Sequence, residues 1–146
     1  MENLVQTMRQ ALGSAFSLYL MTHGFHWNVE GSDFYQVHKM FQDQYEEQWE
    51  AIDDIAERIR ALDEYAPQSL QSFLALSQIE TPEYTHRLMP RDMAVALMKA
   101  QEEMIVIWTE ALRLATSEEE HGLANFIGAR IEAHQKHRWM LRSTAI

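Results

Sequence analysis

The sequence predicts an all-α protein: one domain, residues 1–146, built as a four-helix bundle with a short extra helix in the long connection between the second and third helices. Three observations predict it. Apolar residues recur at three- and four-residue spacing along four stretches of about 25 residues each. No stretch alternates apolar and polar residues as a half-buried strand does. Only five Gly and three Pro interrupt 146 residues, so long helices follow. A chain of this length with 47% apolar residues can bury a core of its own.

The first helix is expected from about Asn3 to Glu30, with Leu4, Met8, Leu12, Ala15, Phe16, Tyr19 and Met21 as its apolar positions. Gly31 is the residue expected just past its end, and Ser32 and Asp33 can cap the second helix. That helix runs to about Asp63, with Phe41, Tyr45, Trp49, Ile52, Ala56 and Ile59 read as one stripe. Residues 64–89 hold Pro67 and Pro82, and within them Leu70, Phe73, Leu74 and Leu76 predict one short helix. Pro90 suits the first turn of the third helix, which carries Met93, Leu97, Met104, Trp108 and Leu112 to about Ala115. Ser117-Glu118-Glu119-Glu120 reads as a capping box, Ser at the N-cap and Glu at N3. The fourth helix then runs to about Leu141. The nine Met and four Trp fall mostly on these stripes and read as core. The long 64–89 connection permits the second and third helices to run parallel.

Charge and cysteine content exclude several function classes. The formal net charge is −10, from 12 Lys and Arg against 22 Asp and Glu, so the average surface repels a polyanion such as DNA. There is no Cys, which removes disulfide frameworks, thiolate metal sites and Cys nucleophiles. The N-terminal MENLVQTMRQ lacks the apolar run of a signal peptide, and no stretch is long and apolar enough for a membrane span. A cytoplasmic location is expected. Lys136, Arg138 and Arg142 form a small basic cluster that suits a helix C-terminus.

The chemistry-bearing residues lie on the second helix. His38, Gln42, Asp53 and Glu57 project at about 0°, 40°, 60° and 100° around it, on one face. One helix cannot gather them around an ion, because His38 and Asp53 are about 22 Å apart along its axis. A second, antiparallel copy can. About a midpoint between positions 47 and 48, His38 mirrors Glu57 and Gln42 mirrors Asp53. A two-fold dimer along this face gains two identical clusters of imidazole and carboxylate. Such donors suit iron, zinc or manganese. The same residues also read as ordinary surface polar groups. His23 and His26, three apart at the end of the first helix, can share a face, and each taken singly reads more readily as a hydrogen-bonded core or surface histidine than as a ligand. Glu83-x-x-His86 and Glu118-x-x-His121 have the spacing of two ligands on one helix face. The first falls in a loop region and the second in a helix's opening turn, where acids are common.

His26-Trp27-Asn28-Val29-Glu30-Gly31-Ser32-Asp33-Phe34, then Val37-His38-Lys39-Met40, then Asp53-Asp54-Ile55-Ala56-Glu57-Arg58 resembles the Dps family, the mini-ferritins, without gaps from 26 to 58. His134-Gln135-Lys136-His137-Arg138-Trp139-Met140 is similar to the family's closing motif. The resemblance implies a ferritin-like bundle, assembly of twelve copies into a hollow shell, and a ferroxidase site at each two-fold interface. It implies that Fe(II) is oxidised there with hydrogen peroxide and stored as ferric mineral. The ligands it implies are His26 and His38 of one chain with Asp53 and Glu57 of its neighbour. Trp27 matches a family Trp beside the site, and His23 matches no family ligand.

The sequence departs from the family in two places. Gln42 stands where the family commonly has Asp, so the second iron position should be weak. Glu46, at about 80° on the same face, is the residue placed to compensate, while Asp43 points away. The lysine-rich N-terminal extension of DNA-binding members is absent, and Arg9 is the only base in the first ten residues. DNA binding is therefore not expected. Two other functions fit the residues: a shell that binds metal but oxidises it poorly, and a DNA-compacting protein. Glu118, Glu119 and Glu120 read either as an acidic iron entry pore or as helix-start acids.

Overall fold

The computed structural model describes all of residues 1–146. It has five helices: α1 (Glu2–Asn28), α2 (Phe34–Ala61), α3 (Leu70–Leu76), α4 (Pro90–Ser117) and α5 (His121–Ala145). α1, α2, α4 and α5 form the bundle, and α3 is the short helix of the crossover. No helix is long and apolar enough to cross a membrane.

Side-chain pairings fix the directions. His26 meets His38 and Tyr19 meets Trp49, so α1 and α2 are antiparallel. Gln101 bonds His134 and Trp108 touches Phe126, so α4 and α5 are antiparallel. The Met1 ammonium bonds Glu118 at the end of α4, and Arg87 just before α4 pairs with Glu30 just after α1. α1 and α4 are thus antiparallel too. It follows that α2 and α4 run parallel, and the segment between them must climb the length of the bundle, as residue spacing allowed.

That segment is pinned to α1. Gly13 is required there: a Cβ on it would lie 2.8 Å from the Phe73 carbonyl oxygen and 3.0 Å from the Leu76 Cβ. The Ser14 hydroxyl accepts from the Gln78 amide at 2.8 Å, and Phe16 packs on Phe73 with ring centres 5.0 Å apart. The Ser69 hydroxyl caps α3 by accepting from the Ser72 amide.

The core holds fully buried Leu4, Met8 and Leu12 from α1, Phe41, Ile55 and Ile59 from α2, Leu97, Met104 and Trp108 from α4, and Ile127 and Leu141 from α5. Each such side chain contributes about 1.5–3 kcal/mol relative to exposure. Only Trp108 of the four tryptophans is core: Trp27, Trp49 and Trp139 are 60%, 56% and 55% exposed. The expected α2 stripe is rotated as well. Its inward residues are Val37, Phe41, Gln44, Gln48, Ala51, Ile55 and Ile59. The two glutamines lie at the stripe's centre, and Tyr45, Trp49 and Ile52 flank it on the outside.

Two helix ends differ from expectation. α1 stops at Asn28 with Val29 extended, so Gly31 is not its terminating residue. Gly31 instead has φ of 123° and forms the turn into α2, its carbonyl accepting from Phe34 N. Neither Ser32 nor Asp33 caps α2 through its side chain. Ser117 is the last residue of α4, and no capping box forms. The Glu120 amide bonds the Ala115 carbonyl, the Glu119 amide bonds that of Thr116, and Glu119 has φ of 58°. This is a Schellman C-terminus, with Glu119 in the left-handed place that glycine usually fills. The carbonyls of α4 take the amides that a capping box at the start of α5 would have used.

Candidate metal centre

The turn around Gly31 sends α2 back along α1 and brings His26 in the last turn of α1 against His38 in the second turn of α2. The rings stack with centres 3.7 Å apart and planes 14° off parallel. His26 Nδ1 donates to the His38 carbonyl at 2.8 Å, and His38 Nδ1 donates to the His26 carbonyl at 2.7 Å. A carbonyl only accepts, so each Nδ1 must carry the proton. Nε2 is then the ring nitrogen of each that is left for a metal, which a neutral imidazole binds through its lone pair. Phe34 covers the outer face of His38, ring centres 4.7 Å apart, and His26 is buried.

One turn along α2, the Gln42 amide donates to the Glu46 carboxylate at 2.9 Å. Gln42 thus fixes Glu46 on the histidine side of the helix face. Asp43 turns away and pairs with Lys39 at 2.9 Å.

Asp53 and Glu57 stand exposed at the other end of α2, one turn apart. The hydrogen bond between them and the charge of Asp53 raise the Glu57 carboxyl above its usual range. Two carboxylates facing one space favour a shared proton or a cation between them. Within one chain they stay far from the histidines, about 22 Å along the axis. No group of three His, Cys, Asp or Glu residues converges in the single chain. The structure therefore brings the sequence-predicted residues together as two separate pairs, His26 with His38 and Asp53 with Glu57.

His23 belongs to an aromatic cluster beside the His26–His38 pair. It stacks on Tyr45 with centres 3.7 Å apart and planes 11° off parallel, approaches Trp27 at 4.3 Å, and bonds the Tyr19 hydroxyl through Nδ1 at 2.8 Å. Burial, with the neighbouring His26, lowers its basicity. Glu83 and His86 are exposed in the crossover, and Glu118 lies in the turn after α4 while His121 opens α5, so neither pair shares a helix face.

A polar layer inside the bundle was not legible from residue spacing. Glu47 on α2 pairs with Arg130 and accepts from His137 Nε2 at 2.9 Å, both on α5. Burial pushes the Glu47 carboxyl up, but the bonds from His137 and Arg130 outweigh it and hold the carboxyl down at about 2. Arg130 also donates to His134 Nε2 at 3.3 Å, and His134 Nδ1 donates to the Gln101 side-chain oxygen at 2.6 Å. Burial and the Arg130 charge keep His134 neutral. The signal in the sequence was Gln44, Glu47 and Gln48 lying on the inward side of α2.

Comparison with known proteins agrees with this architecture. The ferritin-like domain family matches residues 5–145. DNA protection during starvation protein 2 of Bacillus anthracis is 27% identical, the alignment covering 97% of this chain and 96% of that one. The X-ray structure of Dps from Thermosynechococcus elongatus superposes with a TM-score of 0.94 at 25% identity, covering 99% of this chain and 91% of that one. A Dps protein from Vibrio cholerae O1, described as a member of a broad superfamily of ferritin-like diiron-carboxylate proteins, superposes with a TM-score of 0.92 at 25% identity, covering 99% and 92%. With its antiparallel helix pairs, its crossover helix and full-length matches of this kind, the chain belongs to the ferritin-like family and, within it, to the Dps family.

Proposed function

We propose that the protein stores iron and oxidises Fe(II) at sites shared between two chains, His26 and His38 coming from one and Asp53 and Glu57 from the other. The observation that carries this reading is the reciprocal bonding of His26 and His38. It presents two imidazole lone pairs side by side and leaves them without carboxylate partners in their own chain. The mirrored positions along α2 supply those partners when a second chain packs antiparallel on the same face. Imidazole and carboxylate together suit ferrous ion as substrate. Two ferrous ions each give one electron to hydrogen peroxide, the O–O bond breaks, and two hydroxides form with two ferric ions. Assembly into a twelve-chain shell, implied by the family resemblance, supplies the interior for the ferric product.

Gln42 bears on how many irons bind. An amide supplies no charge, and two dications held close repel. Glu46, held by Gln42 at 2.9 Å, is the one further carboxylate on that side. One iron is expected to bind tightly and the second weakly. This observation also favours the second reading, a metal-binding shell with slow oxidation. Arg9 is tied to Glu64 and the Tyr65 carbonyl, and the formal net charge of −10 disfavours DNA as a partner. A cytoplasmic location accords with the absence of Cys.

The test is peroxide-driven iron oxidation by the purified assembly, followed by absorbance, for the unmodified protein and for Asp53→Ala and Glu57→Ala. Rapid oxidation lost in both variants, with the assembly intact, supports the reading. Unchanged rates in either variant contradict it. Slow oxidation with tight iron binding selects the storage reading.

A further inference from the structure

We propose that Tyr19 and His23 form a proton-coupled electron donor that serves the iron site when only one iron is bound. The inference rests on the ferroxidase reading above and deepens it. Its basis is a set of contacts that neither metal binding nor core packing requires. The Tyr19 hydroxyl and His23 Nδ1 are 2.8 Å apart, and that hydroxyl has no other hydrogen-bond partner. The His23 ring lies flat on Tyr45 at 3.7 Å, and Tyr45 meets the edge of His26 at 5.1 Å. An unbroken series of ring contacts thus links Tyr19 to a residue proposed to hold iron. On its other side Tyr19 touches the exposed Trp49 at 5.1 Å.

Each feature answers a chemical need. Electron tunnelling falls steeply with the gap, and rings in van der Waals contact keep each gap small. A phenol that loses an electron becomes a strong acid, so its oxidation is favourable only where a base takes the proton. The His23 Nδ1 is within hydrogen-bond distance of that proton. A phenylalanine would fill the same space and offer neither electron nor proton.

The need for a donor comes from Gln42. Cleaving the O–O bond of hydrogen peroxide to two waters takes two electrons, and a singly loaded site holds one ferrous ion. The other electron comes from Tyr19. Fe(II) becomes Fe(III), the phenol becomes a neutral tyrosyl radical, and its proton moves to His23 Nδ1. Two protons from solvent complete the two waters. No free hydroxyl radical leaves the site.

The experiment loads one Fe(II) per site anaerobically, adds hydrogen peroxide, freezes the mixture rapidly and records the electron paramagnetic resonance spectrum beside the yield of Fe(III). The expected result is Fe(III) together with a tyrosyl signal that narrows when the protein is grown on ring-deuterated tyrosine. The signal is lost in Tyr19→Phe. In His23→Gln, which keeps a hydrogen-bond acceptor but not a base, its yield falls. A signal unchanged in Tyr19→Phe, or Fe(III) formed with no tyrosyl radical, overturns the inference and leaves the ferroxidase reading standing. No Fe(III) in the unmodified protein overturns the ferroxidase reading, and this inference with it.

Discussion

His26 and His38 each donate Nδ1–H to the other's backbone carbonyl, at 2.8 and 2.7 Å, across stacked rings. The two helix positions orient each other, so neither imidazole is set by its own helix alone. Such outer hydrogen bonds fix tautomer and direction.

Replacing one histidine should therefore disturb the other. His38→Ala removes one proposed ligand and the ring stacked on His26, while the carbonyl at position 38 still accepts from His26 Nδ1. Its effect on metal affinity should exceed the about 10–100-fold that loss of a single orienting bond produces. Calorimetric titration with Co(II) measures this, and a loss of less than tenfold would mean that His38 is not a metal ligand.

Gln42→Asp should strengthen the second iron position, since it adds a negative charge one turn from His38. It also removes the amide that holds Glu46. Anaerobic Fe(II) titration should then show two tight equivalents per interface site in the variant and one in the unmodified protein. Two equal equivalents in the unmodified protein would show that Glu46 already supplies the missing charge.

Acid should destabilise the bundle in two stages. His134 is buried and neutral, its folded pKa well below 6.5. Its contribution is complete above that value and is lost as pH falls below it, because the unfolded chain takes up the proton first. Glu47, depressed from 4.5 to about 2, contributes above 4.5 and loses that contribution as pH falls toward 2. Because the Glu47 side chain is 36% exposed, solvent screening reduces the effect to about 1–2 kcal/mol. Glu47→Ala should cost about 3 kcal/mol at neutral pH by leaving Arg130 buried without its partner. Thermal unfolding of both proteins from pH 8 to pH 3 checks this, and parallel pH profiles would contradict it.

Glu119→Gly should stabilise the chain by about 1 kcal/mol, since glycine enters the left-handed region without the Cβ clash. A higher midpoint in thermal unfolding is the expected outcome. A lower one would mean that the Glu119 side chain contributes more than its backbone costs.

Much of this structure could be read from residue spacing, and the misreadings have physical causes. The four long helices and the crossover helix follow from apolar period and scarce breakers. The rotation of the α2 stripe does not, because Gln44 is buried with a bond to the His137 carbonyl on α5, and Gln48 is buried with no hydrogen-bond partner. Trp49 is apolar and in phase with Phe41, yet it lies outside the single-chain core. Ser117 to Glu120 satisfies the pattern of a helix start, and only the backbone bonds to Ala115 and Thr116 assign it to a helix end. For the site, spacing gave the face of α2 and the mirrored pairs. The reciprocal His26–His38 bonds depend on how the Gly31 turn sets one helix on another.

The central claim, that the iron site is shared between two chains, is tested most directly by complementation. One variant carries His26→Ala and His38→Ala, the other Asp53→Ala and Glu57→Ala, and the two are co-expressed and purified as mixed assemblies. A mixed interface has one site lacking all four ligands and one site with all four intact. Random mixing should restore about a quarter of the unmodified protein's peroxide-driven iron oxidation, although each variant alone has none. Mixed assemblies no more active than either parent would contradict a shared site.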